Sequence, residues 1–201
     1  MRIVIDARES GTSTGRYVDK LIEYLHGLKP PHEITVLTKS DRLDALRTLA
    51  PTFEIVASDY KEFTFAEQLG FLRQIKSIKP DLIHFVMTQQ PVMYKGRVVT
   101  TIHDLTTARF PNPAKNRLVF AIKQRVYRWV IKKVAKKSQM LITASKYVKD
   151  DVAQYANVSP DKIIVTYEAA DKIAANAEPL PQLVNKEFIL YVGRATPHKN
   201  L

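Results

Sequence analysis

The chain has 201 residues, 45% of them hydrophobic and 25% charged, which suits a soluble globular fold of one full core and excludes collagen-like repeats, long disorder and a bundle of membrane spans. It holds 31 Lys and Arg against 20 Asp and Glu, for a net charge of +11, and no cysteine, so disulfides, thiolate metal sites and a cysteine nucleophile are excluded. The opening Met1-Arg2-Ile3-Val4-Ile5-Asp6 meets charge too soon for a secretion signal, and the expected location is the cytoplasm.

Short apolar, β-branched runs alternate with longer segments of helical period. Arg2 to Ile5 reads as a strand, followed by a helix marked by Val18, Leu21, Ile22, Leu25 and Leu28. Ile34 to Leu37 is the second strand, and Ser40 is placed to cap a short helix carrying Leu43, Leu46 and Leu49. Phe53 to Val56 is the third strand. A stripe of Phe65, Leu69, Leu72, Ile75 and Ile78 ends at Lys79-Pro80, and Asp81 to Val86 and Val98 to Ile102 are the next strands. A basic helix follows, then Met140 to Thr143 as a strand, a helix capped by Ser145, a turn at Ser159-Pro160-Asp161 and a last strand from Ile163 to Thr166. Strands apolar on both sides and separated by helices predict an α/β fold: a doubly wound, Rossmann-like parallel sheet over residues 1–170 with helices on both faces. Residues 171–186 lose this texture and read as a linker. Phe188 to Val192 then reads as a strand, so that 187–201 is expected to begin a truncated second domain, unless that strand joins the edge of the first sheet.

The charge excess belongs to one interval. Between Asp104 and Asp150 there are 12 Lys and Arg and no acid, leaving 19 Lys and Arg against 20 Asp and Glu elsewhere. Arg125, Arg128, Lys132 and Lys136 step along one helix face, beside an expected apolar stripe of Val119, Ile122, Val126, Val130 and Val134 with Trp129 at its edge. Two readings stand: a solvated surface helix on a sheet, or an anion-binding face whose preferred partner is anionic lipid. Nucleic acid is disfavoured, because stacking aromatics, zinc-finger spacing and a glycine-rich RNA signature are missing.

In open parallel sheets ligands meet the carboxyl ends of the strands. After the first strand, Gly11 to Gly15 lead into Arg16 and Tyr17 at a helix start, where small residues suit a phosphate or sugar diphosphate and a plain turn is the competing reading. The spaced-glycine dinucleotide fingerprint and the P-loop ending are absent, which disfavours a nucleotide-dependent oxidoreductase. After the fifth strand, His103 stands where a ligand would meet it, able to hydrogen-bond a sugar hydroxyl, act as acid or base, or brace its loop, while Asp104 is expected to cap that loop. Arg194 and Lys199 follow the last apolar run, a pair able to clamp a diphosphate or simply carry loop charge. No metal-ligand spacing occurs, and no metal or other cofactor is expected.

Together these residues resemble the family-four glycosyltransferases of the GT-B fold, a retaining group that includes bacterial mannosyl- and rhamnosyltransferases. The carriers are Val4-Ile5-Asp6-Ala7-Arg8 with Thr14-Gly15-Arg16-Tyr17, Thr101-Ile102-His103-Asp104-Leu105 before Phe110-Pro111, Ile142-Thr143-Ala144-Ser145, Lys162-Ile163-Ile164-Val165, and Tyr191-Val192-Gly193-Arg194 through Lys199-Asn200. The resemblance implies that the first domain serves the acceptor and the second the nucleotide sugar. It places Gly15 near diphosphate and acceptor, His103 at the donor sugar, and Arg194 and Lys199 on the leaving diphosphate. The implied partners are a nucleotide diphosphate sugar and a lipid-linked or surface-glycan acceptor, with a hexose transferred. This chain departs from the family in having Ser13-Thr14 where a second loop glycine is usual. The family's paired glutamates are expected further downstream; Glu54 and Glu62 share their spacing but are given no role. The 201-residue piece is therefore expected to be inactive alone. The competing class is a non-enzymatic domain that binds anionic membrane or polymer through the basic helix.

Overall fold

In a computed structural model, residues 1–110, 117–171, 180–184 and 186–193 are described, the side chains of 117–120 excepted. The chain divides into two compact units, Met1–Tyr167 and Glu168–Leu201.

The first unit holds β1 (Arg2–Asp6), α1 (Arg16–Leu28), β2 (Glu33–Thr38), α2 (Leu43–Leu49), β3 (Glu54–Ala57), α3 (Leu72–Ile78), β4 (Leu82–Phe85), β5 (Val98–Thr101), α4 (Thr106–Arg109), α5 (Arg117–Lys137), β6 (Met140–Thr143), α6 (Lys146–Ala156) and β7 (Ile163–Val165). All pairings are parallel, in the order β3-β2-β1-β4-β5-β6-β7. The two outward runs of this order diverge between β1 and β4, and there the loops above the strand ends separate and leave a crevice.

Both faces of the sheet are covered, which is why its strands carry near-continuous apolar runs. Alternation along β1 sends Ile5 into a cluster with Val18, Ile22 and Leu46, and Val4 into one with Phe71, Ile75 and Ile83. A third cluster joins Ile102, Leu141 and Ile163 to Ile131, Ala135 and Val152. Ser145 caps α6 as expected, its side-chain oxygen accepting from the Val148 N–H at 3.2 Å.

Three local expectations are corrected. Ser40 does not cap a helix; it opens a short 3-10 turn, and its hydroxyl and N–H both donate to the Asp59 carboxylate. The stripe before β4 is re-phased by a π-turn over Glu67–Phe71, whose wider turn brings Phe71 and Ile75 inward and leaves Phe65 and Leu69 exposed.

The largest correction concerns α5. Its covered side runs through Gln124, Ile131, Val134 and Ala135, whereas Ile122, Val126 and Trp129 of the expected inner stripe are 65%, 54% and 54% exposed. Residues four apart drift by about 40° around a helix, so a stripe of repeated four-residue steps winds from the outer side at Ile122 to the inner side at Val134. Polar groups hold the covered side in place. Gln124 Nε2 donates to the Thr107 and Ala108 carbonyls at 2.9 and 3.0 Å, and Lys137 Nζ donates to the Pro91 carbonyl at 2.8 Å.

Among its described residues the second unit carries one 3-10 turn, Pro181–Leu183. Phe188–Val192, expected as a strand, is irregular and exposes its apolar side chains.

Substitutions separate the two sides of α5. Ile131→Ala is expected to cost about 2–5 kcal/mol in urea unfolding, and Ile122→Ala to stay within about 0.5 kcal/mol.

Candidate functional site

The crevice between β1 and β4 is built around a buried cation. Asp6 and Arg8, two residues apart at the end of β1, form a fork: Arg8 Nε donates to Asp6 Oδ1 at 2.9 Å and Nη2 to Oδ2 at 2.8 Å. Nη2 also reaches Glu67 Oε1 at 3.0 Å, Nη1 donates to the Tyr60 carbonyl at 3.0 Å, and the guanidinium lies 3.9 Å from the centre of the Phe71 ring. Burial works against the charge on Arg8, but Asp6 and Glu67 outweigh it and the pKa rises above that of ordinary arginine. Burial pushes the Glu67 carboxyl up, with Arg8 opposing.

Beside this network lies a small open-mouthed concavity lined by Asp6, Arg8, Glu9, Glu62, Val86, Met87 and Gln89. Glu62 thus belongs to the crevice, with Lys39 Nζ 3.3 Å from its carboxylate. Burial disfavours its charge, but its own backbone, Lys39 and Arg8 prevail and hold it below the usual carboxylate range. The lining sets the Glu9 and Glu62 carboxylates and the Gln89 amide beside the apolar Val86 and Met87.

The loop into α1 is closely wound. A Cβ on Gly15 would fall 1.6 Å from the Glu9 carbonyl oxygen, so glycine is required by space, its backbone being in the ordinary helical region. The Gly15 N–H donates to Thr12 Oγ1 at 2.9 Å and the Arg16 N–H to the Thr12 carbonyl at 3.1 Å, so both donors expected for a phosphate are bonded within the loop. Asp19 adds a carboxylate there, accepting from Ser10 Oγ and the Gly11 N–H. Arg16 is exposed.

Tyr17 and His103, remote in sequence, are brought together. Their rings meet edge to face at 4.8 Å. The half-buried His103 donates from Nε2 to the Val86 carbonyl at 3.0 Å, which ties it to the rim of the concavity. Behind them Thr101 Oγ1 bridges Tyr17 Oη at 3.2 Å and His84 Nε2 at 2.9 Å. Burial above all, with His103 nearby, pushes His84 down to about 4. Asp104 takes the bracing role expected of it, accepting the Thr106 N–H at 2.7 Å.

On α5, Arg128 Nε donates to the Ala108 carbonyl at 2.9 Å and Lys132 lies over the Tyr155 ring, while Arg125 and Lys136 are exposed. Arg194 and Lys199 lie outside the described residues. Among the described residues no group of three His, Cys, Asp or Glu could hold a metal ion, and no helix is long and apolar enough to cross a membrane.

The pairing of Asp6 with Arg8 was available in the sequence as opposite charges two apart at a strand end. Glu67 and Gln89 left no such signal, since only the π-turn and the loop after β4 carry them there.

The model of Glycosyltransferase Family 4 matches residues 14–172. The O-antigen chain mannosyltransferase RfbU of Salmonella typhimurium is 29% identical over 101 residues, covering 50% of this chain and 26% of that protein. Among solved structures, a glycosyltransferase from Rickettsia africae superimposes with a TM-score of 0.50 at 14% identity, covering 85% of this chain and 43% of that one. The UDP-GlcNAc 2-epimerase of Neisseria meningitidis, solved with UDP-GlcNAc, gives 0.51 at 15% identity, covering 83% and 46%. These two likenesses establish the fold, and the chain spans less than half the length of each of these three proteins.

Two substitutions probe the site. Arg8→Met strands Asp6 and Glu67 as buried acids and is expected to cost about 3–5 kcal/mol in urea unfolding. For His84, the unfolded chain takes up a proton near the ordinary 6.5 while the folded chain resists to about 4. Stability is therefore complete above that window and falls by about 3 kcal/mol as pH drops through it. His84→Gln should remove this slope; equal slopes in parent and variant would contradict a neutral His84.

Proposed function

We propose, for a chain that belongs to Glycosyltransferase Family 4, that it forms the acceptor side of an enzyme moving a hexose, with retention, from a nucleotide diphosphate sugar to a lipid-linked or surface-glycan acceptor in the cytoplasm. The observation that carries this reading is the meeting of Tyr17 and His103 at the strand ends, on the rim of the concavity between β1 and β4.

In this reading the acceptor hydroxyls are held by Glu9, Glu62 and Gln89. His103 hydrogen-bonds a hydroxyl of the donor sugar, its ring oriented by the Val86 carbonyl and the edge of Tyr17. A retained configuration needs the new oxygen to arrive on the face the diphosphate leaves. The leaving diphosphate then requires positive charge. The family resemblance gives that role to Arg194 and Lys199, without a metal.

The test uses a protein that carries this unit together with a donor-holding domain, assayed for nucleoside diphosphate release with nucleotide sugars and lipid-linked acceptors. His103→Ala is expected to lower kcat by roughly 10²-fold, with folding retained by circular dichroism. The 201-residue chain alone is expected to bind nucleotide sugar weakly in calorimetry. Turnover unaffected by His103→Ala, or tight donor binding by the chain alone, overturns the assignment.

A further inference from the structure

The outward side of α5 is unlike that of an ordinary helix lying on a sheet. Ile122, Val126 and Trp129, spaced four and three apart and more than half exposed, form an apolar line that continues to the exposed Lys133. Arg125 and Lys136 flank this line on one side and Lys123 on the other, all exposed. Among the described residues none of these four cations has an ion pair, and no acid occurs in the chain between Asp104 and Asp150.

We propose that the outer face of α5 docks on an anionic lipid bilayer: Ile122, Val126 and Trp129 enter the boundary between headgroups and acyl chains, and Lys123, Arg125, Lys133 and Lys136 lie at the phosphates. Charge complementarity selects this occupant. Cations on long stems on both sides of an apolar strip match a layered solvent, in which the stems stay in apolar surroundings while the charged ends reach headgroup level. Protein interfaces deplete lysine, and this face has three. A second copy would bring the same positive charge against it. The apolar line, which one reading of the sequence laid against the sheet, here enters the bilayer with the cations around it. It is independent of the transfer reaction, since binding is measured with no sugar donor or acceptor present.

Trp129 is the only tryptophan in the chain, so its fluorescence reports this face directly. The 201-residue chain is titrated with vesicles of phosphatidylcholine alone and of phosphatidylcholine containing roughly 30% phosphatidylglycerol. A blue shift and quenching by brominated acyl chains are expected on the anionic vesicles only. Ile122→Ser with Val126→Ser should abolish the shift with the urea midpoint unchanged. Arg125→Gln and Lys133→Gln should each weaken vesicle affinity by roughly fivefold. The proposal is overturned by an unshifted emission on anionic vesicles, by equal binding to both vesicle types, or by binding that leaves Trp129 open to aqueous iodide. It is overturned equally if the chain is a dimer that the double serine variant dissolves, which would give the face to a second copy.

Discussion

Three segments meet at the opening between β1 and β4, two of them from distant parts of the chain, and the guanidinium of Arg8 receives all of them. It is forked by Asp6 from its own strand end, accepted by the Tyr60 carbonyl and by Glu67 from the stretch before α3, and reached at 3.3 Å by the Gln89 carbonyl after β4. A buried arginine is tolerable only with such a complete set of acceptors, and the acceptors are tolerable only with the arginine. Each loop is therefore held by the same condition, and the concavity has a floor whose shape does not depend on a ligand. The π-turn fits this requirement. Glu67 and Phe71, at its two ends and four residues apart, lie on one side of it, so that the carboxylate and the ring both meet the guanidinium.

His103 belongs to the same structure by one further step. The Val86 carbonyl that accepts its ring N–H lies in the loop that, three residues on, presents Gln89 to Arg8. The aromatic edge of Tyr17 comes from the loop that Gly15 packs against Glu9, one residue beyond Arg8. Orientation of the histidine and integrity of the buried ion cluster are thus consequences of the same two loops. The neutral His84 behind Thr101 completes the arrangement without placing another charge beside His103.

How much of this was legible in the sequence differs by level. The strands and their order of appearance were, because a parallel sheet covered on both faces writes itself as short apolar runs. The position of His103 was also legible, since a residue following a strand of such a sheet must lie on the ligand side. Its partners were not: Val86 and Tyr17 contribute through loops whose paths depend on Arg8. Gly15 was singled out in the sequence for approach to a phosphate, and the structure adds a steric reason for a glycine there, the Glu9 carbonyl that a Cβ would meet.

The helix α5 shows why a pattern can be read correctly in period and wrongly in direction. Its apolar residues occur on both sides, with Ile131, Val134 and Ala135 inward and Ile122, Val126 and Trp129 outward, and periodicity reports only that a stripe exists. What decides the inward side is polar. Gln124 and Arg128 satisfy the last carbonyls of α4, and Lys137 satisfies Pro91; these bonds require that side to face the protein whatever the hydrophobicity of the other. A polar glutamine in the covered face and a tryptophan in the open one are the reverse of what burial alone would choose. An apolar line left outward therefore reflects backbone groups of α4 and the Pro91 loop that must be bonded, and its meaning has to be sought in what meets it from outside.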